Sequence, residues 1–222
     1  MLVKDWMTTE LITIEPDDTV LDALHVMREN RLRRIPVVKG KKLLGIITEK
    51  DIKTFSPSKA STLDIYEMHN ILADTLVKDV MTKNPINVAP DDPIEKAALI
   101  LRDKRIGGLP VVDENGDLVG IITAIDVFDV FVEAMGMRIP GARISIVLDD
   151  RPGAIAEMAK IIKQHELNII SLATFFLKDQ SMRDVVIRVS GDDVKIKSAV
   201  EELKSLGYNI SSFMYMTGKT EV

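Results

Sequence analysis

Two short segments place an aspartate three residues after a threonine, directly behind a run of apolar residues. They are GIITEKD, with Thr48 and Asp51, and GIITAID, with Thr123 and Asp126. A threonine that ends a strand can cap the next helix, and an acid at the third helical position can bond back to it. The same geometry suits a nucleoside phosphate, because helix N-termini attract phosphate and a carboxylate can accept both ribose hydroxyls. The residues leave both interpretations open.

The two segments belong to a longer internal repeat. Residues 3–38 align without a gap on residues 77–112, and the turns that follow differ by one residue. Each copy predicts the order β-α-β-β-α, with short first strands at 11–14 and 85–88 and a later hairpin. Because neither copy can bury much surface alone, we expect the two copies to pack as one compact pair.

The copies differ in charge near the threonine–aspartate pairs. The first copy carries three cationic residues there, Arg33, Arg34 and Lys50, whereas the second carries uncharged ones, Gly107, Gly108 and Ile125. Arginine binds phosphate through a rigid fork of donors and lysine binds it as a point charge. We therefore expect the first copy to favour a phosphorylated ligand and the second a less charged ligand or none. Alternatively, Arg33 and Arg34 are solvated surface charges.

The rest of the chain predicts an α+β fold with three folded parts. A packed helix capped by Ser61 or Thr62 is expected between the copies. The glycine- and proline-containing segment GMRIPG ends the second copy. The order β-α-β-β-α-β follows, which is typical of a ferredoxin-like sandwich and includes a helix with Ile155, Met158 and Ile162 on one face. The predicted divisions are 1–58, 59–76 (connecting helix), 77–135, 136–141 (linker) and 142–222.

The repeated motifs resemble a known family of ligand-binding modules. VKDWM, PDDT, IPVV and GIITEKD, with their second-copy counterparts, are similar to cystathionine β-synthase (CBS) domains arranged as a Bateman pair. The resemblance implies binding of AMP, ADP, ATP or S-adenosylmethionine in clefts between the copies, as regulatory ligands rather than obligatory cofactors. Asp51 and Asp126 would hold ribose, and Thr48 and Thr123 would meet phosphate or ribose. The residues expected to flank the base are Ile12, Ile14, Ile86 and Val88.

The last eighty residues resemble an ACT domain, a regulatory module of metabolic enzymes. The turn Asp150-Arg151-Pro152-Gly153 and Asn168 carry the resemblance. Pro152 and Gly153 open a helix N-terminus that suits the carboxylate of an amino acid. Alternatively, this segment is a sharp turn that serves only dimerisation, and a homodimer is expected in either case. Together, the CBS pair and the ACT domain are similar to the acetoin-utilisation (AcuB-type) proteins, which implies a role in acetoin or related carbon catabolism.

Composition excludes several other classes of protein. The chain has 222 residues, 46% hydrophobic and 28% charged, with a net charge of −5 and no cysteine. Thiolate chemistry and disulfides are therefore excluded, and a cytoplasmic location is expected. No apolar run reaches the length of a membrane span and no basic run suggests nucleic acid as a partner. The histidines are scattered and no nucleophile–base set is visible, so we expect a non-enzymatic sensor. The alternative is a ligand-free adaptor that scaffolds a metabolic enzyme.

Overall fold

The fold is taken from a computed structural model that describes residues 1–55, 65–176 and 182–218. For residues 65–68 it describes the backbone only. Predicted features that fall elsewhere, such as the Ser61 or Thr62 cap, lie outside the described residues. In the described part of the chain, no helix is both long and apolar enough to cross a membrane.

The chain forms two compact units, Met1–Val127 and Phe128–Val222. The first unit holds both repeats and the helix between them, and its last helix runs on into the second unit. The elements of the first repeat are a 3-10 helix Val3–Asp5, α1 Val20–Glu29, β1 Arg34–Lys39, β2 Lys42–Thr48 and α2 Glu49–Phe55. The elements that follow are α3 Ile65–Asp74, α4 Val77–Val80, β3 Thr82–Lys83, α5 Ile94–Lys104, β4 Gly108–Val112, β5 Leu118–Thr123 and α6 Ala124–Ala134.

Helix α1 shows why the sequence forms these elements. The Thr19 hydroxyl accepts from the Asp22 backbone N–H, and the Asp22 carboxylate accepts from Thr19 in return, which closes a capping box. Val20, Ala23 and Met27 recur at helical spacing and are buried against the hairpin of the first repeat. The amphipathic helices and the hairpins β1–β2 and β4–β5 are thus as predicted.

The prediction of short regular strands at 11–14 and 85–88 is wrong. Both segments are extended, but each is held by one isolated parallel bridge, Ile14 to Val37 and Val88 to Val111. A bridge of one residue fixes the segment beside the hairpin without building a ladder.

The leading segment of the first repeat packs on the second repeat. The Val3 backbone N–H donates to the Asp92 carbonyl at 2.9 Å, and Thr8 forms an antiparallel bridge with Ile121 of β5. A contiguous copy of the sequence is therefore not a closed structural unit.

The leading segment of the second repeat makes the reciprocal exchange. The Val77 backbone N–H donates to the Asp18 carbonyl at 2.8 Å. Strand β3 then pairs with β2, through Gly45 opposite Lys83, and becomes the third strand of the β1–β2 sheet. Each repeat thus completes the other.

The second unit is the predicted ferredoxin-like sandwich. Its elements are β6 Gly141–Asp149, α7 Ala154–Gln164, β7 Asn168–Phe176, β8 Met182–Ser190, α8 Asp193–Ser205 and β9 Asn209–Met216. The sheet order is β7-β8-β6-β9, with all neighbours antiparallel. Both helices pack on one face, where Met158, Ile162 and Ile187 are fully buried. The predicted place of Ile155 is corrected: it is 38% exposed, and Ile161 takes its place in the buried stripe.

Candidate functional site

Thr48 and Asp51 form a closed capping box where β2 becomes α2. The Thr48 backbone N–H and hydroxyl both donate to Asp51 Oδ2, at 2.9 and 2.7 Å, and the Asp51 backbone N–H donates to Thr48 Oγ1 at 3.2 Å. These bonds stabilise the first turn of the helix. They use Oδ2 alone, and Oδ1 has no hydrogen bond to the described residues.

The second repeat reproduces this box between β5 and α6. The Thr123 backbone N–H and hydroxyl donate to Asp126 Oδ2 at 2.6 and 2.8 Å, and the Asp126 N–H lies 3.4 Å from Thr123 Oγ1. The two helix starts are therefore equivalent, and the differences between the copies lie in the side chains around them.

A cleft of about 480 Å³ opens beside the first box. It brings together all five polar residues predicted for the first copy: Arg33, Arg34, Thr48, Lys50 and Asp51. Neither Thr123 nor Asp126 lines this cleft. The other lining residues are Ile46, Glu49, Thr82, Pro85, Ile86, Arg105, Ile106, Gly107, Gly108 and Pro110.

The second repeat supplies about half of the residues that line this cleft, and one of them, Arg105, was missed by the sequence analysis. Arg105 ends α5 in a left-handed conformation, φ 53°, and adds a fourth cation to Arg33, Arg34 and Lys50. Two acids, Glu49 and Asp51, face these four cations, so the cleft has an excess of positive charge. The connection between α5 and β4, which carries Arg105, lies beside the helix start of the first repeat, and the comparison of aligned positions alone did not indicate this.

Arg34 lies against the backbone of the second repeat. A Cβ atom added to Gly107 or Gly108 would overlap the Arg34 guanidinium, so glycine is required there for this approach. Burial, reinforced by the neighbouring Arg33, lowers the pKa of the Arg34 guanidinium. The side chain remains charged because arginine is not deprotonated in proteins. A partly desolvated guanidinium with no ion-pair partner among the described residues is well suited to hold phosphate.

The four apolar residues predicted to flank a base fall into two groups. The side chains of Ile14 and Val88 are buried in the core, at 5% and 2% exposure, so they do not form a cleft wall. Ile12 and Ile86 are 38% and 44% exposed, and Ile86 lines the cleft beside Asp51. In a regular strand, residues two apart share a face, so this difference shows that the backbone of these segments departs from a regular strand, as their single bridges also indicate.

The predicted residues of the ACT-like unit do not come together. Asp150 accepts from the Arg183 Nε at 2.6 Å, and Gly153 caps α7 with φ 90°. Asn168 begins β7 at the other end of the sheet, because α7 runs back along the sheet before β7 starts. Asp150 and Gly153 therefore cannot share a small ligand with Asn168.

A cleft of about 460 Å³ lies beside the start of α7. Arg151 and Glu157 line it, and they form a bidentate pair at 2.9 and 2.6 Å. Asp150, Pro152 and Gly153 are not among its lining residues. The Arg151 and Glu157 side chains are thus already paired with each other.

The histidines form no metal centre in the part of the chain that the structure describes. His25 and His69 are exposed on helices. His165 lies 2.6 Å from a carboxylate oxygen of Glu202, which joins α7 to α8.

Comparison with known proteins places the fold in a family. Residues 3–58 and 77–133 match the CBS domain, so the chain belongs to the CBS-domain family, as predicted. Residues 140–211 match the TTHA0829-like ACT domain. The chain is therefore a tandem CBS pair followed by an ACT-like domain.

Three relatives illustrate how these modules are used. An inosine-5'-monophosphate dehydrogenase of Korarchaeum cryptofilum is 38% identical over 125 residues, which are 56% of this chain but only 23% of the dehydrogenase. A CBS domain-containing protein of Dictyostelium discoideum is 33% identical over 61% of this chain and 94% of its own length. A crystal structure of a Vibrio cholerae protein, proposed to act in acetoin utilization, is 29% identical with a TM-score of 0.52, covering 62% of this chain and 95% of that one.

Proposed function

We propose that the cleft beside Thr48 and Asp51 binds an adenosyl ligand, such as AMP, ADP, ATP or S-adenosylmethionine, and that the chain is a regulator rather than an enzyme. One observation carries this proposal: a single cleft brings the helix start, Asp51 and four cationic side chains together. A helix N-terminus and arginine forks both favour phosphate.

In this proposal each part of the ligand has its own partners in the cleft. Asp51 would accept from the ribose hydroxyls through Oδ1, since Oδ2 serves the capping box. Ile86 and Ile106 are partly exposed apolar side chains on the cleft wall and would flank the base. Arg34 and Lys50 would meet phosphate. The excess of cations favours a phosphorylated ligand at this cleft and a less charged ligand, or none, at Asp126.

A second candidate function rests on the capping boxes themselves. In both copies the aspartate is turned onto its own threonine and backbone. In a ligand-free adaptor that scaffolds a metabolic enzyme, the aspartates would serve only as helix caps. The two candidates differ in whether the cleft binds anything.

The remaining parts of the proposal concern partners. The ACT-like unit would bind an amino acid near Asp150, Pro152 and Gly153 or pair two copies into a homodimer. Pairing would also cover an exposed edge of its sheet. Similarity to the Vibrio cholerae protein makes acetoin or related carbon metabolism the first place to seek a target enzyme. The absence of cysteine fits a cytoplasmic location.

Calorimetric titration with ATP, AMP, adenosine and S-adenosylmethionine tests the central claim. Asp51→Ala and Asp126→Ala are matched variants, because both lose the same capping box, at a cost of about 0.5–2 kcal/mol each in stability. We expect Asp51→Ala to weaken nucleotide binding at least tenfold and Asp126→Ala to weaken it much less. A ligand at 100 times its Kd should raise the free energy of unfolding by about 2.7 kcal/mol. No binding by any compound would favour the adaptor, and equal losses in the two variants would contradict the asymmetry.

A further inference from the structure

A separate cavity of about 750 Å³ lies on the sheet of the second unit. Val186 and Arg188 of β8 line it, whereas Val185 and Ile187 point to the opposite face and pack under α7 and α8. The cavity therefore lies on the face that these helices leave uncovered. Its walls contain four methionines and two valines, and three arginines supply the charge. None of the described lining residues carries a carboxylate.

Arg188 is the central charged group of this cavity. The residue is only 3% exposed, and its Nη2 donates to the Ile139 carbonyl at 2.8 Å. Its Nε is buried and has no hydrogen-bond partner among the described residues. A buried charged donor without a partner is costly, and native structures retain one only where something compensates.

A second arginine stands directly opposite Arg188. Arg143 on β6 is its cross-strand neighbour, and Arg143 Nη1 donates to the Ser212 hydroxyl at 3.0 Å. Burial, reinforced by Arg143, lowers the pKa of the Arg188 guanidinium. Like charges directly opposite each other on paired strands are destabilising. An anion bound between them would offset both the repulsion and the unpaired donor.

A purely structural role for Arg188 would explain its bond to Ile139 but not the other features of the cavity. Its bond to Ile139 holds the turn before β6, and one donor suffices for that. That role accounts neither for the unpaired Nε nor for Arg143 and Arg138, which line the same cavity.

We propose that this cavity binds a small organic anion that has an apolar body and no amino group. The guanidinium groups of Arg138, Arg143 and Arg188 suit a carboxylate, since arginine forms bidentate, charge-assisted bonds with it. Methionine side chains are polarisable and adapt to apolar ligands of irregular shape. An amino acid is disfavoured because its ammonium group would find no carboxylate among the described lining residues. The proposed ligand therefore differs from those of the nucleotide cleft and of the Asp150 turn.

The test uses the full chain and three compounds of nearly equal shape. They are 4-methylpentanoate, leucine, which adds an amino group, and 4-methylpentan-1-ol, which lacks the charge. By calorimetry we expect saturable binding of 4-methylpentanoate, with leucine and the alcohol at least tenfold weaker. With 13C-methyl methionine, the NMR signals of the cavity methionines should shift. Met27, which is buried in the first unit, should not respond.

Substitutions locate the binding site. Arg138→Gln and Arg143→Gln should each weaken 4-methylpentanoate binding at least fivefold. Arg102→Gln removes the same charge from an exposed position in the other unit and should have no effect. Asp51→Ala should also leave this binding unchanged, which separates it from the nucleotide cleft. The proposal is overturned if 4-methylpentanoate does not bind, if the alcohol or leucine binds as tightly, or if the Arg138 and Arg143 variants bind like the natural chain.

Discussion

The guanidinium of Arg34 rests on Gly108, the residue that occupies the position of Arg34 in the second repeat. The two residues are counterparts in the repeat and contact each other inside the first unit. An arginine at both positions would place two long cations in the same space. The asymmetry between the copies is therefore a packing requirement as well as a difference in charge.

Gly108→Ala should weaken ATP binding through this contact. The new Cβ would displace the Arg34 guanidinium, whose charge-assisted bonds are worth about 1.5–3 kcal/mol. Calorimetry should show at least a tenfold loss for ATP and little change for adenosine, which has no phosphate. The control is the Arg34→Ala background, in which Gly108→Ala should add no further loss. Full additivity in this double-mutant cycle would show that the two residues do not act together.

Glycines that contact the exchanged segments should be destabilised by substitution with alanine. A Cβ on Gly120 would overlap the side chain of Met7, which comes from the other repeat. Gly120→Ala should lower the free energy of unfolding by about 1–3 kcal/mol, the usual cost of overpacking. In urea denaturation, Met7→Ala should recover part of this loss, because it removes the overlapping atoms.

Gly45→Ala provides the matched comparison. Its Cβ would overlap Met81 in the same way but would also lie 3.0 Å from the Thr82 carbonyl oxygen, which belongs to the backbone. Met81→Ala should therefore rescue Gly45→Ala less well than Met7→Ala rescues Gly120→Ala. Equal rescue in both pairs would show that the contact with the Thr82 carbonyl oxygen does not limit the substitution at Gly45.

The cap of α1 should give a defined pH dependence. Hydrogen bonds from the Thr19 side chain and backbone lower the pKa of the Asp22 carboxyl. The stabilisation from its charged form is then present above the unfolded pKa of about 3.9 and is lost as pH falls through the lower folded value. Asp22→Asn should be less stable than the natural chain by about 1 kcal/mol at pH 7. The difference should shrink below pH of about 4 in urea titrations, and a constant difference would show that the charge contributes nothing.

Fragments should reveal which divisions of the chain fold alone. Residues 1–135 and 136–222 each contain one complete core cluster, so each fragment should unfold cooperatively in calorimetry. Residues 1–76 should not, because β3 and α4, which complete the first repeat, would be missing. Residues 1–135 should bind ATP with the affinity of the full chain. Cooperative unfolding of 1–76 would contradict the exchange between repeats.

Local patterns predicted local structure well. The helical spacing of Met158 and Ile162, and the hairpins of the two repeats, needed only short-range information. The exchange of leading segments was not predicted, since aligning the copies shows that they are alike and not which copy each segment contacts. Arg105 was missed because cationic residues were sought only in the first copy. Asn168 was grouped with Asp150 because both carry the resemblance to an ACT domain, but helix α7 carries the chain to the opposite end of the sheet before Asn168.

The reciprocal exchange also constrains the order in which the protein can mature during synthesis. The hairpin of the first repeat leaves the ribosome long before its third strand, Thr82–Lys83, has been made. The amino-terminal segment must likewise wait for Asp92 and Ile121. The first sheet can therefore be completed once Thr82–Lys83 has been made, whereas the amino-terminal segment can take its place only after translation has passed β5.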